Sequence, residues 1–243
     1  MARLARLFVP GCPQHILHRG HNAMAVFLDD ADRQRYLDWL VEALRARSTA
    51  LHAYALLPGQ VGLLVTAARA EDASAAMAAV ARRYGQHFNR RYGRTGTIWE
   101  GRFRSTVAAD DAHVLGCYRF VDASPVRAQL VEDPAAYAWS SCAHHVGRRT
   151  DAFVTDHAQY WALGNTPFER QAAYERLCRQ PLGAMAERIA EGTLKGWALG
   201  EIDAAGASPS RRATPLQRGR PRRTSPHDDL SPLKKRTEQG RTE

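Results

Sequence analysis

The chain has 243 residues, of which 44% are hydrophobic, so it is long and apolar enough to form one large domain or two small ones. Its 34 lysines and arginines outnumber its 25 aspartates and glutamates, and the net charge of +9 favours a polyanionic partner, nucleic acid first. No stretch approaches the ~20 apolar residues of a membrane helix. The four cysteines form no Cys-x-x-Cys pair, which argues against a zinc ribbon or a disulfide framework.

The periodicity of apolar residues and the turn signals predict the secondary structure in chain order. The first half of the chain predicts a strand at 13–19, a helix from Asp29 or Asp30 to about Arg47, and strands at 50–57 and 61–66. A helix at about 71–91 and an extended stretch at 97–108 follow. The remaining predicted elements are a helix from Asp110 or Asp111 that stops before Pro125, and helices around 167–178 and 183–194. The order β-α-β-β-α-β-α predicts an α+β fold with helices packed on a mostly antiparallel sheet.

The composition changes near residue 206. Residues 207–243 contain ten lysines or arginines, four acidic residues and few large apolar residues, so we predict that this tail is disordered. The expected domains are a DNA-binding domain at 1–147, a helical extension at 148–206 and the basic tail at 207–243. The tail contains Arg-Gly-Arg-Pro, similar to an AT-hook core, with Arg218, Arg220, Arg222 and Arg223 as candidates for an A·T-rich minor groove. Non-specific phosphate binding by a basic tail is the alternative.

The stretch from Arg82 to Arg104 is strongly basic, with seven arginines, one histidine and a single acidic residue, Glu100. The spacing of Tyr84, Phe88 and Tyr92 predicts a core-facing stripe, while the neighbouring arginines favour phosphate contacts over an ordinary solvated helix face. Aromatic residues alternate with arginines near its end, as in platforms that stack unpaired bases, although Trp99 is equally compatible with a core position. The candidate DNA-binding residues of the body are Arg83, His87, Arg90, Arg91, Arg94, Trp99, Arg102, Arg104 and Arg127.

Several separate segments resemble one known family. They are Pro10–Asn22, Leu51–Pro58, Arg91–Phe103, Ser124–Ala128, Tyr137–Ser141 and, with one subgroup, Asp156–Gly200. They resemble, in the same order, the single-tyrosine transposases of the His-hydrophobic-His superfamily, in particular the REP-associated type. This resemblance implies a ferredoxin-like domain, commonly a homodimer, that acts on hairpin-forming single-stranded DNA. It also implies an attacking tyrosine, a Mg²⁺ or Mn²⁺ ion held by two histidines, and a cytoplasmic, nucleoid-associated location without a membrane anchor.

The sequence departs from the family pattern at the reacting positions. The positions that match the two metal-binding histidines are Gln60 and Gly62, and the position of the nucleophilic tyrosine is Phe120. Ser124 stands where relatives can complete the metal site. Tyr118, two residues before Phe120, is a rotation of about 200° away on a helix and is therefore a poor substitute.

These departures predict a DNA-binding protein that recognises hairpin-forming single-stranded DNA for transposition but does not cut the strand, with no cofactor required. An active transposase that uses replacement residues and Mg²⁺ or Mn²⁺, and a decaying transposase remnant, are the alternatives.

Overall fold

The computed structural model describes residues 6–201. Its strands are β1 (Gln14–Arg19), β2 (Ala50–Leu57), β3 (Gln60–Thr66) and β4 (Arg104–Val107). Its helices are α1 (Asp30–Arg45), α2 (Asp72–Arg91), α3 (Asp111–Asp122), α4 (Ser124–Arg127), α5 (Cys142–His145), α6 (Ala158–Trp161), α7 (Pro167–Arg179) and α8 (Ala184–Lys195). The tail, with its four candidate arginines and its predicted disorder, lies outside the described residues.

The four strands form one antiparallel sheet in the order β2-β3-β1-β4. This is the strand order of a ferredoxin-like βαββαβ unit, so the predicted α+β fold class is confirmed. The central pair is β1 and β3, and their register sets Leu17 opposite Gly62 and Arg19 opposite Gln60.

Local signals place the helix starts where the sequence predicts them. The Asp29 carboxylate accepts the backbone N–H of Asp32, and the Asp110 carboxylate accepts that of His113, so each caps its helix. The stretch 97–108 is less regular than predicted, since only Arg104–Val107 pairs as a strand. Gly96 and Gly101 have φ values of 86° and 73°, and these left-handed turns interrupt an extended chain.

The sheet separates two hydrophobic clusters. On one face it packs against α1 and α2, and the predicted stripe of α2 is buried there through Tyr84 and Phe88. On the other face Leu64 packs with residues of α3, α6, α7 and α8. The helices beyond residue 148 therefore share a core with the sheet, while the predicted domain boundaries stay predictions. No helix within residues 6–201 is long and apolar enough to cross a membrane.

Candidate functional site

A cavity of about 230 Å³ lies between the sheet and α3, α4 and α8. Side chains of neighbouring antiparallel strands that stand opposite each other share a face, and the register of β1 and β3 thus brings Gln60 and Gly62 to this cavity beside Arg19. Helix α3 adds Phe120, and α4 adds Ser124 and Arg127. The positions that the family resemblance connects, which lie about 60 residues apart in the sequence, therefore meet at one place.

The cavity has free space above Gly62. A Cβ atom added to Gly62 would have no heavy atom within 4 Å, so space for a side chain or a ligand group remains above this glycine. The Ser124 side chain is almost fully buried, at 8% exposure, and its Oγ has no hydrogen-bond partner among residues 6–201. A buried hydroxyl without a partner costs free energy, and a ligand in the cavity would satisfy it.

Phe120, at the position that the family resemblance gives to the nucleophile, packs against a histidine and an arginine. The Phe120 ring makes an edge contact with the His15 ring at a centroid distance of 5.3 Å. The Arg127 guanidinium carbon lies 3.9 Å from the centre of the Phe120 ring, and the same side chain donates to the Phe120 carbonyl. Desolvation lowers the pKa of Arg127 to about 10, so it stays cationic at neutral pH. Phe120 has no oxygen that attacks a phosphate, but it holds a cation at the cavity.

His15 belongs to this site although the sequence analysis did not single it out. Its Nδ1 lies 2.7 Å from Thr193 Oγ on α8, and that hydroxyl donates to the Ile189 carbonyl. The imidazole therefore donates from Nδ1. Burial, and then the positive charge of Arg127, lower the pKa of His15 to about 3. The sequence alone does not place His15 at this site. Side chains alternate between the two faces of β1, and the pairing of β1 with β3 puts His15 on the same face as Gln60 and Gly62.

The cavity does not fit a Mg²⁺ or Mn²⁺ ion. These ions prefer oxygen ligands, above all carboxylates, whereas the described lining residues include no aspartate or glutamate and two arginines. The positive field of Arg127 that disfavours a charged His15 also disfavours a divalent cation at the same place. The donors present suit an anion instead.

Tyr118 faces away from the cavity, as the helix rotation predicts. It is completely buried in the second cluster, where its ring packs near Tyr160 and Tyr174. Its hydroxyl accepts the backbone N–H of His157 at 2.9 Å, and burial raises its pKa. This phenol has neither access to the cavity nor an easily lost proton.

A second group of possible metal ligands, His144, His145 and Asp156, has its ligand atoms within 4.8 Å of one another. Hydrogen bonds already use both imidazoles. His144 Nδ1 accepts the backbone N–H of Asp151 at 3.1 Å, so its Nε2 carries the proton. His145 Nδ1 lies 2.6 Å from the Asp122 carboxylate and its Nε2 lies 3.0 Å from the His52 carbonyl, so both nitrogens are already hydrogen-bonded. The group is therefore a structural cluster.

Two arginines of the basic stretch are already paired, which corrects their assignment as free phosphate contacts. Arg83 donates to Glu42 at 2.8 Å. Arg91 binds Asp29 at 2.5 Å and Asp32 at 2.7 Å. These carboxylates belong to α1 and its N-cap, which pack beside α2. The acidic partners that the basic stretch itself lacks therefore come from residues about 40 to 60 positions earlier in the sequence. The charges of the two arginines are largely neutralised locally.

The other candidate arginines of this stretch remain available. Arg90, Arg94, Arg102 and Arg104 are exposed and form no ion pair with any residue in the part of the chain that the structure describes. Arg94 lies over the Phe88 ring at 5.8 Å, and Arg104 donates to the Leu194 carbonyl at 3.4 Å. These contacts leave their charges uncompensated.

The two ring systems assigned to DNA contact are not free surfaces. Trp99 is 6% exposed, its ring stacks on His18 at 4.1 Å, and its Nε1 donates to the Ala81 carbonyl. Trp99 therefore occupies the core position that the sequence left open beside base stacking. His87 is half-buried, with its ring 5.5 Å from that of Trp39.

The fold is similar to that of a solved structure described as a REP-associated tyrosine transposase bound to a REP hairpin. The TM-score is 0.50 and the sequence identity 18%, and the match covers 65% of this chain and 96% of that chain. No protein-family model matches this chain, and no curated protein matches it. At this level of identity the likeness concerns the fold, and the chain thus has an α+β architecture similar to that of a tyrosine transposase.

Proposed function

We propose that this chain binds hairpin-forming single-stranded DNA and does not cut it. The similar structure is described as holding a REP hairpin, which supports DNA as the partner class. Four exposed arginines without acidic partners in the described chain, Arg90, Arg94, Arg102 and Arg104, supply the charge for backbone phosphates.

The cavity carries the proposal, because its chemistry suits a phosphate and not a cleavage reaction. Arg127 and Arg19 provide cationic donors, and the unpartnered Ser124 hydroxyl provides a further hydrogen bond. Charge-assisted hydrogen bonds of this kind are stronger than neutral ones. A backbone phosphate placed over Gly62 would satisfy these groups without a metal ion.

The absence of cleavage follows from the reacting groups. A transesterification needs a nucleophile near the phosphate and a means of withdrawing charge from it. The described cavity residues provide a phenyl ring at Phe120 and no carboxylate for a divalent ion. Tyr118 is the nearest phenol along the helix, but it is sealed inside the second cluster.

Equilibrium binding of a fluorescently labelled hairpin oligonucleotide with single-stranded flanks tests this function. We expect the same affinity in EDTA and in Mg²⁺ or Mn²⁺, and no covalent protein–DNA band on a denaturing gel. Replacing Arg127 with Ala should weaken binding by about tenfold or more, since one charge-assisted contact is lost. Arg176→Ala, an exposed arginine of α7 outside the cavity, is the matched control. A covalent adduct that disappears in Tyr118→Phe would overturn the proposal.

A decaying remnant is separated from a maintained DNA-binding protein by restoring the family residues. Gln60→His and Gly62→His place two imidazoles on one strand face, and the open space above Gly62 accommodates the second. With Phe120→Tyr added, we expect a Mn²⁺-dependent covalent adduct with the hairpin. The variant that carries both histidines but keeps Phe120 is the control, since it has no hydroxyl at that position. Failure of the wild-type chain to bind the hairpin, together with no adduct after restoration, would favour the remnant.

A further inference from the structure

Two cysteine thiols meet where the extension helix α7 packs against α5. Cys142 of α5 is completely buried, whereas Cys178 of α7 is half-buried. The two helices pack together, and the two thiols lie close enough to influence each other's ionisation. Both also line a second cavity of about 390 Å³, which opens between α4, α5 and α7 and has no part in the proposed DNA site.

Neighbouring hydrogen bonds hold these thiols together. His145, one turn after Cys142, bonds to the Asp122 carboxylate at 2.6 Å, and Tyr174, one turn before Cys178, donates to the same carboxylate at 2.7 Å. All three polar groups are buried. Because one carboxylate anchors both helices next to the cysteines, the two cysteines stay beside each other as long as the fold is intact.

We propose that Cys142 and Cys178 form a peroxide-oxidisable pair that closes a reversible disulfide between α5 and α7. The Cys178 thiolate attacks one oxygen of a hydroperoxide, the O–O bond breaks, and hydroxide leaves (alkoxide from an organic hydroperoxide), giving a sulfenic acid. The Cys142 sulfur then attacks the Cys178 sulfur, the S–O bond breaks, and the Cys142 proton leaves with the hydroxide as water. With hydrogen peroxide, the two thiols lose two electrons in total, and the peroxide is reduced to two waters.

The surroundings distinguish the roles of the two cysteines. The neighbouring Cys178 thiol, and then burial, raise the pKa of the Cys142 thiol, so it stays protonated and is unsuited to attack peroxide first. Cys178 is the more accessible sulfur, and the cavity beside it gives room for a small oxidant to enter and its product to leave. Cys142 is therefore the resolving residue, placed against the sulfur that it must attack.

Alkylation after oxidation tests the pair directly. The folded, reduced chain is treated with hydrogen peroxide, quenched with catalase, unfolded and alkylated with iodoacetamide. We expect two of the four cysteines to resist alkylation until a reductant is added. The expected mass is lower by about 2 Da before alkylation, and peptide mapping should join Cys142 to Cys178. A Cys12→Ser background removes the half-exposed cysteine that could link two chains.

Two variants identify the order of the steps. Cys178→Ser should form no crosslink, and Cys142→Ser should accumulate a sulfenic acid at Cys178 that a dimedone probe labels. Oxidation should also raise the melting temperature by about 10 °C, reversibly with dithiothreitol, because the crosslink restricts the unfolded chain. Cys117→Ser, which removes a buried cysteine outside the pair, should respond like the parent chain. Retention of every alkylatable cysteine at peroxide concentrations that oxidise free thiols, or a crosslink that survives in Cys178→Ser, would overturn the proposal.

Discussion

Replacing Asp122 with Asn should be among the most damaging single changes in the molecule. The Asp122 side chain is completely buried and accepts hydrogen bonds from Ser141 and His145 at 2.6 Å and from Tyr174 at 2.7 Å. The other ring nitrogen of His145 donates to the His52 carbonyl at 3.0 Å, so the imidazole is fixed at both ends. An Asn amide would turn one acceptor into a donor that faces other donors.

The size of the effect follows from this arrangement. His145 and Tyr174 both bond to Oδ2 of Asp122, and an amide nitrogen in that place would break both hydrogen bonds. Each buried polar group left without its partner costs about 1–3 kcal/mol, so the total loss should be about 3–5 kcal/mol. With a urea dependence of about 2–3 kcal/mol per molar for a domain of this size, the midpoint of unfolding should fall by about 1–2 M. Tyr174→Phe removes only one hydrogen bond to the same carboxylate and should cost about 2 kcal/mol.

Urea unfolding followed by tryptophan fluorescence and by far-ultraviolet circular dichroism measures both changes. Asp38→Asn, an exposed aspartate of α1, is the matched control and should stay within about 0.5 kcal/mol of the parent chain. A loss below about 1 kcal/mol in Asp122→Asn would refute the assignment of a buried hydrogen-bonded carboxylate at the junction of α3, α5 and α7.

Two further predictions concern pH and salt. Burial lowers the pKa of His15 to about 3 and those of His18 and His52 to about 4, so the unfolded chain binds protons below pH ~6.5 that the folded chain does not. The free energy of unfolding should therefore be highest above that pH and should be lower at pH ~5 by on the order of 2 kcal/mol per histidine. Urea unfolding at pH ~7 and pH ~5 measures this difference, and equal midpoints would contradict it. Arg90→Ala should reduce the salt dependence of hairpin binding by about 0.7 in the log–log slope. Arg91→Ala should instead mainly lower stability, since Arg91 already holds two carboxylates, and an equal change of slope in both variants would refute this distinction.

The elements of the fold were predictable because their signals are local. The helix starts at Asp29 and Asp110 follow from capping side chains that act over three residues. The burial of Tyr84 and Phe88 follows from a spacing that repeats along one helix. The irregular stretch 97–108 shows the limit of this reasoning, since the left-handed Gly101 divides a segment whose composition alone is compatible with a longer strand.

The electrostatics of α2 was not predictable from a count of charges along the segment. Arg83 and Arg91 meet carboxylates of α1 and its cap, because α1 and α2 pack side by side on one face of the sheet. The relevant charge density is that of a surface, and a surface combines segments that lie far apart in the sequence. Likewise, His15 joins the candidate site only through the register of β1 with β3.

The packing around Phe120 bears on whether the changed residues reflect decay or a maintained binding role. The Phe120 ring lies under the Arg127 guanidinium at 3.9 Å and against the edge of His15 at 5.3 Å. A cation over an aromatic face is stabilised by about 0.5–1 kcal/mol or more, so the ring helps to keep Arg127 beside the open space above Gly62. In Phe120→Ala, the loss of this support should therefore weaken hairpin binding as well as stability. If stability fell while the affinity for the hairpin stayed unchanged, Phe120 would contribute to packing alone, and the proposal that the cavity binds a phosphate would be refuted.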